Sequence, residues 1–223
     1  MVKNPTLFDR TAVGFTAKVD KLIDAGRYRR GNLFLAAAAS STPPQGRILD
    51  YGCGPGRISA LLAGRGFRVL GVDPSPAMIA AARQQRLEAL QVEFQLCETH
   101  PIDAQDGAFD AIVCSSVIEY EANPVELLRQ FFAALRPSGV LIISFANSRS
   151  LSRALFQRRN LHLGAQVHTW TWSQFNELLG QSGFRPIRDV VFFESFFDRI
   201  TPFRFLSASQ FGGALGLIVA AKQ

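Results

Sequence analysis

Cysteine, histidine, methionine and tryptophan are all scarce here: three Cys, three His, two Met and two Trp in 223 residues. Cys53, Cys97 and Cys114 are odd in number and never spaced as CxxC. That argues against a disulfide framework or a cysteine zinc site and fits a reducing compartment. No metal-ligand cluster of His, Cys, Asp and Glu is visible, so any chemistry is expected to be metal-independent. No apolar run nears the ~20 residues that span a bilayer. The opening MVKNPTLFDRTAVGF holds no apolar core of signal-peptide length, so a cytoplasmic protein is expected. Charge is thin as well, at 19% of residues, with a net excess of +6. Such a surplus permits an acidic partner, a membrane surface or a nucleic acid, without demanding one. A surplus of solvated arginines is the simpler reading.

What the chain has is apolar mass and alternation. Hydrophobic residues make up 48%, enough for a sizeable core, and one domain over 1–223 is expected. Its parts would be a helical cover (1–46), a central core (47–146), an insertion or lid (147–168) and a C-terminal helix with two strands (169–223). Helical periodicity from Lys18 to Ala39 leads through STPPQG into a strand at Arg47–Tyr51. A helix at Arg57–Arg65, a strand at Phe67–Asp73 and a helix at Pro76–Leu87 follow. Strands at Val92–Leu96 and Ala108–Cys114 precede a helix at Pro124–Leu135, and RPSG breaks it before a strand at Val140–Ala146. The last third reads as a basic stretch at Ser148–Leu163, a helix at Ser173–Gln181, a strand near Ile187–Phe193 and a final strand at Ala214–Ala221. Apolar strands alternating with helices imply an α/β fold, a parallel sheet covered on both faces.

The sharpest local signal is ILDYGCGPGRIS, residues Ile48 to Ser59, where a strand runs into Gly52, Gly54 and Gly56 and then a helix. A bare turn there lets a ligand approach backbone N–H groups and the positive helix end, at the crevice where α/β sheets bind small molecules. The dinucleotide fingerprint GxGxxG needs glycine at position 57, where this chain has Arg57. Asp50 stands two residues ahead of the first glycine. Asp73 ends the second strand, placed to accept both hydroxyls of a ribose lying along the strand ends.

These segments resemble the class I S-adenosylmethionine-dependent methyltransferases. ILDYGCGPG resembles their first motif and VLGVDPSPAMI their second; GAFDAIVCSSVIEY and ALRPSGVLIIS are similar to the segments at the fourth and fifth strands. The C-terminal part, QVHTWTWSQFNELLGQSGF, is more loosely similar to the ubiquinone-biosynthesis type of small-molecule O-methyltransferase. The resemblance implies a Rossmann-like, seven-stranded, mostly parallel sheet and S-adenosyl-L-methionine as cofactor. It further implies that Gly52, Cys53, Gly54 and Gly56 pass beneath the methionine moiety and ribose, and that Asp50 orders the loop or meets the ammonium group through water. Asp73 would bind the ribose diol, Pro74 and Met78 would pack on adenine, and Glu98 and Thr99 would lie near the adenine amine. Ser115 would face the methionine end, and Tyr28, Arg29 or Arg30 would meet its carboxylate from an N-terminal cover.

Methyl transfer needs alignment above all, and a neutral hydroxyl acceptor also needs a base. His168, Glu119 and Tyr120 are the candidates, Tyr120 departing from a common Glu-His pair. Trp170, Trp172, Phe175, Phe196 and Phe197 suggest a small apolar or aromatic acceptor, or plain core. The basic segment 148–163, rich in Arg149, Arg153, Arg158 and Arg159, reads either as a lid or as a peripheral contact with an anionic membrane. A nicotinamide-dependent oxidoreductase, a nucleic-acid or protein methylase and a non-catalytic nucleoside-binding protein are the other classes. Arg57 counts against the first. CSSV in place of an Asn/Asp-Pro-Pro-aromatic motif counts against methylation of nucleic-acid bases.

Overall fold

The computed structural model describes residues 14, 16, 17, 20, 21, 28–85, 87–97, 107–151, 153, 154, 168–193, 209–211 and 213–223. Five parallel strands, helices standing between most of them, come before the sheet turns antiparallel. In chain order these are α1 (Arg29–Ser41), β1 (Arg47–Tyr51), α2 (Arg57–Gly64), β2 (Arg68–Asp73), α3 (Pro76–Arg83), β3 (Val92–Leu96) and β4 (Phe109–Cys114). A single 3₁₀ turn at Ile118–Tyr120 leads to α4 (Pro124–Ala134) and β5 (Leu135–Ala146). Then come α5 (Trp172–Gln181), β6 (Phe184–Pro186), β7 (Val191–Phe193) and β8 (Leu215–Lys222). The sheet order is β3-β2-β1-β4-β5-β8-β6, with β7 also on β8. β1 to β5 pair in parallel, and β8 runs antiparallel to β5, β6 and β7.

Alternation along each strand sorts side chains to two covered faces. Ile48, Val69, Ala111 and Val113 join Phe34 of α1 and Leu62 of α2 in one buried cluster. Leu49, Tyr51, Ile112 and Cys114 meet Phe131 of α4 and Phe175 of α5 in the other. Local chemistry starts the helices where it should. Ser75 Oγ accepts from Met78 N–H ahead of Pro76, Asn123 caps α4 ahead of Pro124, and Thr171 with Gln174 forms a capping box at α5. Gly31 has the ring of Tyr28 and Leu61 of α2 where a side chain would stand, so α1 packs closely at that point.

Three expectations need correction. α3 ends at Arg83, short of Leu87, because the Arg83 guanidinium turns to Phe94 O (2.7 Å) and the Gln85 amide to Pro55 O (2.7 Å). RPSG does not delay the fifth strand: β5 begins at Leu135, pairs with Phe109, then bulges before Val140 meets Ala111. Arg136 inside the bulge holds Asp110, and Lys222 donates to Leu135 O (2.7 Å). The expected strand at Ile187–Phe193 is two short strands, β6 and β7, which divide the outer edge of β8 and bring the sheet to eight strands.

Candidate active site

β1 lies between β2 and β4, and the chain order reverses there: β2 and β3 lie to one side, β4 and β5 to the other. Crevices at such a reversal, beyond the carboxyl ends of the strands, are where open α/β sheets bind ligands. Tyr51 is level with Val72 and Cys114 in the sheet register, so the glycine loop, Asp73 and Ser115 emerge at one end.

The loop itself corrects the expectation that its N–H groups face a ligand. Gly52 N–H and Cys53 N–H both donate to Val72 O (2.8 and 2.9 Å), Gly56 N–H to Cys53 O (3.0 Å) and Gly54 N–H to Asp73 Oδ2 (2.8 Å). Pro55 has no donor. Ser59, in the first turn of α2, donates its hydroxyl to Asp50 Oδ2 (2.6 Å) and its backbone N–H to the same side chain. An internal carboxylate therefore occupies the helix start where a phosphate would sit. Burial raises the Asp50 pKa to about 6; the Ser59 hydrogen bonds oppose this, and nearby Asp73 adds to it.

The three glycines are needed for different reasons. All have positive φ, 70° at Gly52, 54° at Gly54 and 73° at Gly56. A Cβ at Gly52 would stand 2.3 Å from Val117 Cγ2, and one at Gly56 would stand 2.6 Å from Phe94 Cζ. At Gly54, among the described residues, only Met78 Sδ lies within reach, at 4.0 Å. The protein's own side chains exclude a side chain at Gly52 and Gly56. Gly54 alone opens onto space.

Asp73 is 7% exposed, and its Oδ1 accepts from Ser75 N–H (2.9 Å). It thus ties the loop to the turn before α3. Met78 is buried against that space and Pro74 is exposed beside it. Cys53 is buried, and burial holds its thiol protonated. Glu98 and Thr99 lie outside the described residues.

On the β4 side, the Oγ atoms of Ser115 and Ser116 are buried without a hydrogen-bond partner among the described residues. Ser116 has φ 56°, unusual for a residue with a side chain, and donates its N–H to Ser144 Oγ (2.9 Å). The 3₁₀ turn then buries Glu119 (1% exposed) and leaves Tyr120 41% exposed. His168 N–H donates to Glu119 O (2.7 Å), and its ring stacks on Trp170 at 5.7 Å. His168, Glu119 and Tyr120 are thus brought together. Burial and Glu119 push the Tyr120 hydroxyl pKa up, against the pull of Arg153 and Arg30.

Phe175 is fully buried, stacked on Phe145 at 4.3 Å, and Trp172 stacks on Phe145 at 6.2 Å, so both belong to the core. Phe196 and Phe197 lie outside the described residues. On the opposite side, the Asp20 carboxylate pairs with Arg57 Nη2 (2.6 Å), which holds Asp20 beside the loop. Tyr28 occupies the N-cap position of α1, Arg29 is exposed and Arg30 is half-buried. Sequence reasoning missed Ser59, Asp20, Ser116 and Ser144. Arg57, at the position of the absent third glycine, was the one available signal, and it is the residue that holds Asp20.

A family model described as a methyltransferase domain matches residues 23–188. The putative methyltransferase YqeM of Bacillus subtilis is 29% identical over 184 residues, 81% of this chain and 72% of that one. The ubiquinone biosynthesis O-methyltransferase of Xanthomonas campestris is 33% identical over 120 residues, 53% of this chain. Those residues are 50% of the relative, so the chain spans about half the length of that protein. Magnesium protoporphyrin IX methyltransferase from Synechocystis, solved with bound SAH, superposes with a TM-score of 0.67 at 21% identity. The match covers 92% of this chain and 87% of that one, and it is a likeness of fold. With its glycine loop, its strand order and a family match over most of its length, the chain belongs to the S-adenosylmethionine-dependent methyltransferases.

Proposed function

We propose that the protein methylates a small apolar or aromatic acceptor, most simply at oxygen, and that it works in the cytoplasm in small-molecule metabolism. The observation that carries the site reading is the inward use of every loop N–H described above. The N–H groups of Gly52, Cys53, Gly54 and Gly56 all donate inside the protein, and open space at Gly54, beside the carboxyl groups of Asp50 and Asp73, suits a cationic nucleoside. S-adenosylmethionine, when bound, supplies an electrophilic methyl group on a positively charged sulfur.

The residues divide the work. Asp73, whose two oxygens together carry about four lone-pair sites, accepts the ribose hydroxyls while holding Gly54 and Ser75. Met78 and Pro74 pack on adenine. The buried hydroxyl of Ser115 meets the methionine end, and Arg30, with Tyr28 and Arg29 beside it, faces the carboxylate. Asp50 sets the loop through Ser59. A hydroxyl acceptor gives its proton to His168 or Glu119. Tyr120, whose pKa is raised, keeps its proton at neutral pH and serves as a donor. The four-part organisation of the chain follows the same division: cover, cofactor core, lid and C-terminal wall.

Incubation with S-adenosylmethionine and a panel of phenols, followed for S-adenosylhomocysteine, tests this. Turnover on a phenol and not on its methyl ether supports oxygen transfer; turnover confined to amines overturns it.

A second reading, peripheral contact with an anionic membrane, has its own observation. Leu151 and Phe211 are 54% and 55% exposed, joined by Leu151 N–H to Phe211 O (2.9 Å). The Arg149 guanidinium sits over the Phe211 ring at 5.7 Å. Apolar side chains rimmed by arginine suit an anionic interface. Residues 155–163, with Arg158 and Arg159, lie outside the described residues. Sedimentation with phosphatidylserine vesicles should fall steeply with salt and vanish in Phe211→Ser/Arg149→Gln. A wild type that stays in the supernatant at low salt leaves a lid only.

A further inference from the structure

Ser144 is a polar residue in a buried apolar stretch of β5. Alternation puts it on the face of Val140 and Ile142, which belong to the cluster under α1 and α2; Leu141, Ile143 and Phe145 belong to the other. It is 0% exposed, and a hydroxyl buried there is costly unless hydrogen-bonded. Its Oγ accepts from Ser116 N–H (2.9 Å), just past the end of β4. Ser116 is one of two non-glycine residues with positive φ among the described residues. A backbone of that kind persists where its surroundings hold it, and the Ser144 bond is such a hold.

The residue after the strained one carries the consequence. Val117 lies over the first glycine of the loop: a Cβ at Gly52 would stand 2.3 Å from its Cγ2 and 3.2 Å from its Cγ1. Gly52 is itself tied to β2 through Val72 O (2.8 Å), and Tyr120 N–H donates to Val117 O (2.9 Å). Contacts therefore run from Ser144 on β5, through Ser116 and Val117 after β4, to Gly52 after β1, and these three strands are neighbours in the sheet. We propose that Ser144 is a positioning residue for the methionine end of the cofactor. By holding Ser116 at positive φ it seats Val117 on Gly52, and so sets the wall along which that end lies. This rests on the reading of the chain as binding S-adenosylmethionine with Gly52 beneath the methionine moiety.

The test uses the full chain and two probes followed by calorimetry, S-adenosylhomocysteine and methylthioadenosine, which lacks the amino-acid end. Ser144→Ala removes the acceptor from Ser116 N–H. S-adenosylhomocysteine should then bind about tenfold more weakly, the scale of one buried hydrogen bond lost, while methylthioadenosine keeps its wild-type affinity. A merely structural role would lower Tm and move neither affinity, or both alike. Ser144→Thr, which keeps the hydroxyl, should recover most of the loss. Val117→Ala leaves the Ser144 bond in place and uncovers Gly52, so it should show the same selective loss; it decides the matter if Ser144→Ala does not fold. The double variant should bind no more weakly than the weaker single one, because both act on one contact. An unchanged S-adenosylhomocysteine affinity, an equal loss for both probes, a Ser144→Thr no better than Ser144→Ala, or losses that add in the double variant each overturns the proposal. A wild type that does not bind S-adenosylhomocysteine overturns the cofactor reading beneath it, and this outcome is seen before any variant is made.

Discussion

At the scale of the residue, each position in the glycine loop makes a separable prediction. Gly54→Val meets open space but must hold φ near 54°, which costs roughly 1–2 kcal/mol of stability. The variant should stay folded and lose S-adenosylmethionine binding by calorimetry. Gly52→Ala drives a methyl group into Val117 and should instead fail as a fold, seen as a lowered Tm or insoluble protein. Asp73→Asn keeps an acceptor for Gly54 N–H but loses the charge. Cofactor affinity should drop by about 10–100-fold, and wild-type affinity would remove Asp73 from the site.

Asp50 makes a prediction with a sign. Its folded pKa, about 6, stands above the ordinary 3.8, so folding favours the protonated form. Nothing is lost below pH 4. As pH rises from 4 to 6, ionisation in the buried site removes roughly 3 kcal/mol of stability, and the loss stays constant above. Asp50→Asn should match the wild type near pH 4 and exceed it at pH 7, read from urea unfolding at each pH. A constant difference between the two would mean that Asp50 is not titrating there. Ser116 bears strain of another kind, a positive φ and a buried hydroxyl without a partner. Ser116→Gly should stabilise by about 1 kcal/mol and raise Tm by a few degrees. If the strain aims the strand end at the acceptor, kcat falls while Tm rises.

At the scale of the element, Asp20, ahead of α1, pairs with Arg57 at the start of α2. The pair is partly exposed, so its worth to stability is small, under about 1 kcal/mol. Its effect should show in the cofactor. Arg57→Gln is expected to leave Tm almost unchanged and to speed dissociation of S-adenosylhomocysteine in stopped-flow measurements; an unchanged off-rate would separate the pair from any cover. This contact also shows why part of the site was illegible. Asp20 and Arg57 are far apart in sequence, and nothing in either neighbourhood names the other. Ile48–Ser59 was legible because strand, glycines and helix are consecutive and each follows a local rule. What the loop donates to was not, since Val72 O and Asp73 arrive from the next strand.

At the scale of the whole molecule, alternating apolar strands and capped helices disclosed the order of layers, the parallel core and the reversal that places the crevice. They did not disclose the bulge at RPSG, which depends on Asp110 and Lys222 holding Arg136 and Leu135 from other strands. Nor did they disclose the division of the outer strand. That division bears on behaviour in concentrated solution. A long bare strand at the rim of a sheet is a template on which another copy of the chain can add its own strand. Here the rim beyond β8 offers two segments of three residues, and Pro186 removes one donor from the first. Few ladder bonds are left for a neighbour, although Ile187 and Val191 are exposed beside them. Pro186→Val should therefore cost little in the monomer's unfolding curve yet promote self-association at millimolar concentration, measured by light scattering. The interrupted rim, on this account, guards this one edge of the sheet, β3 forming the other.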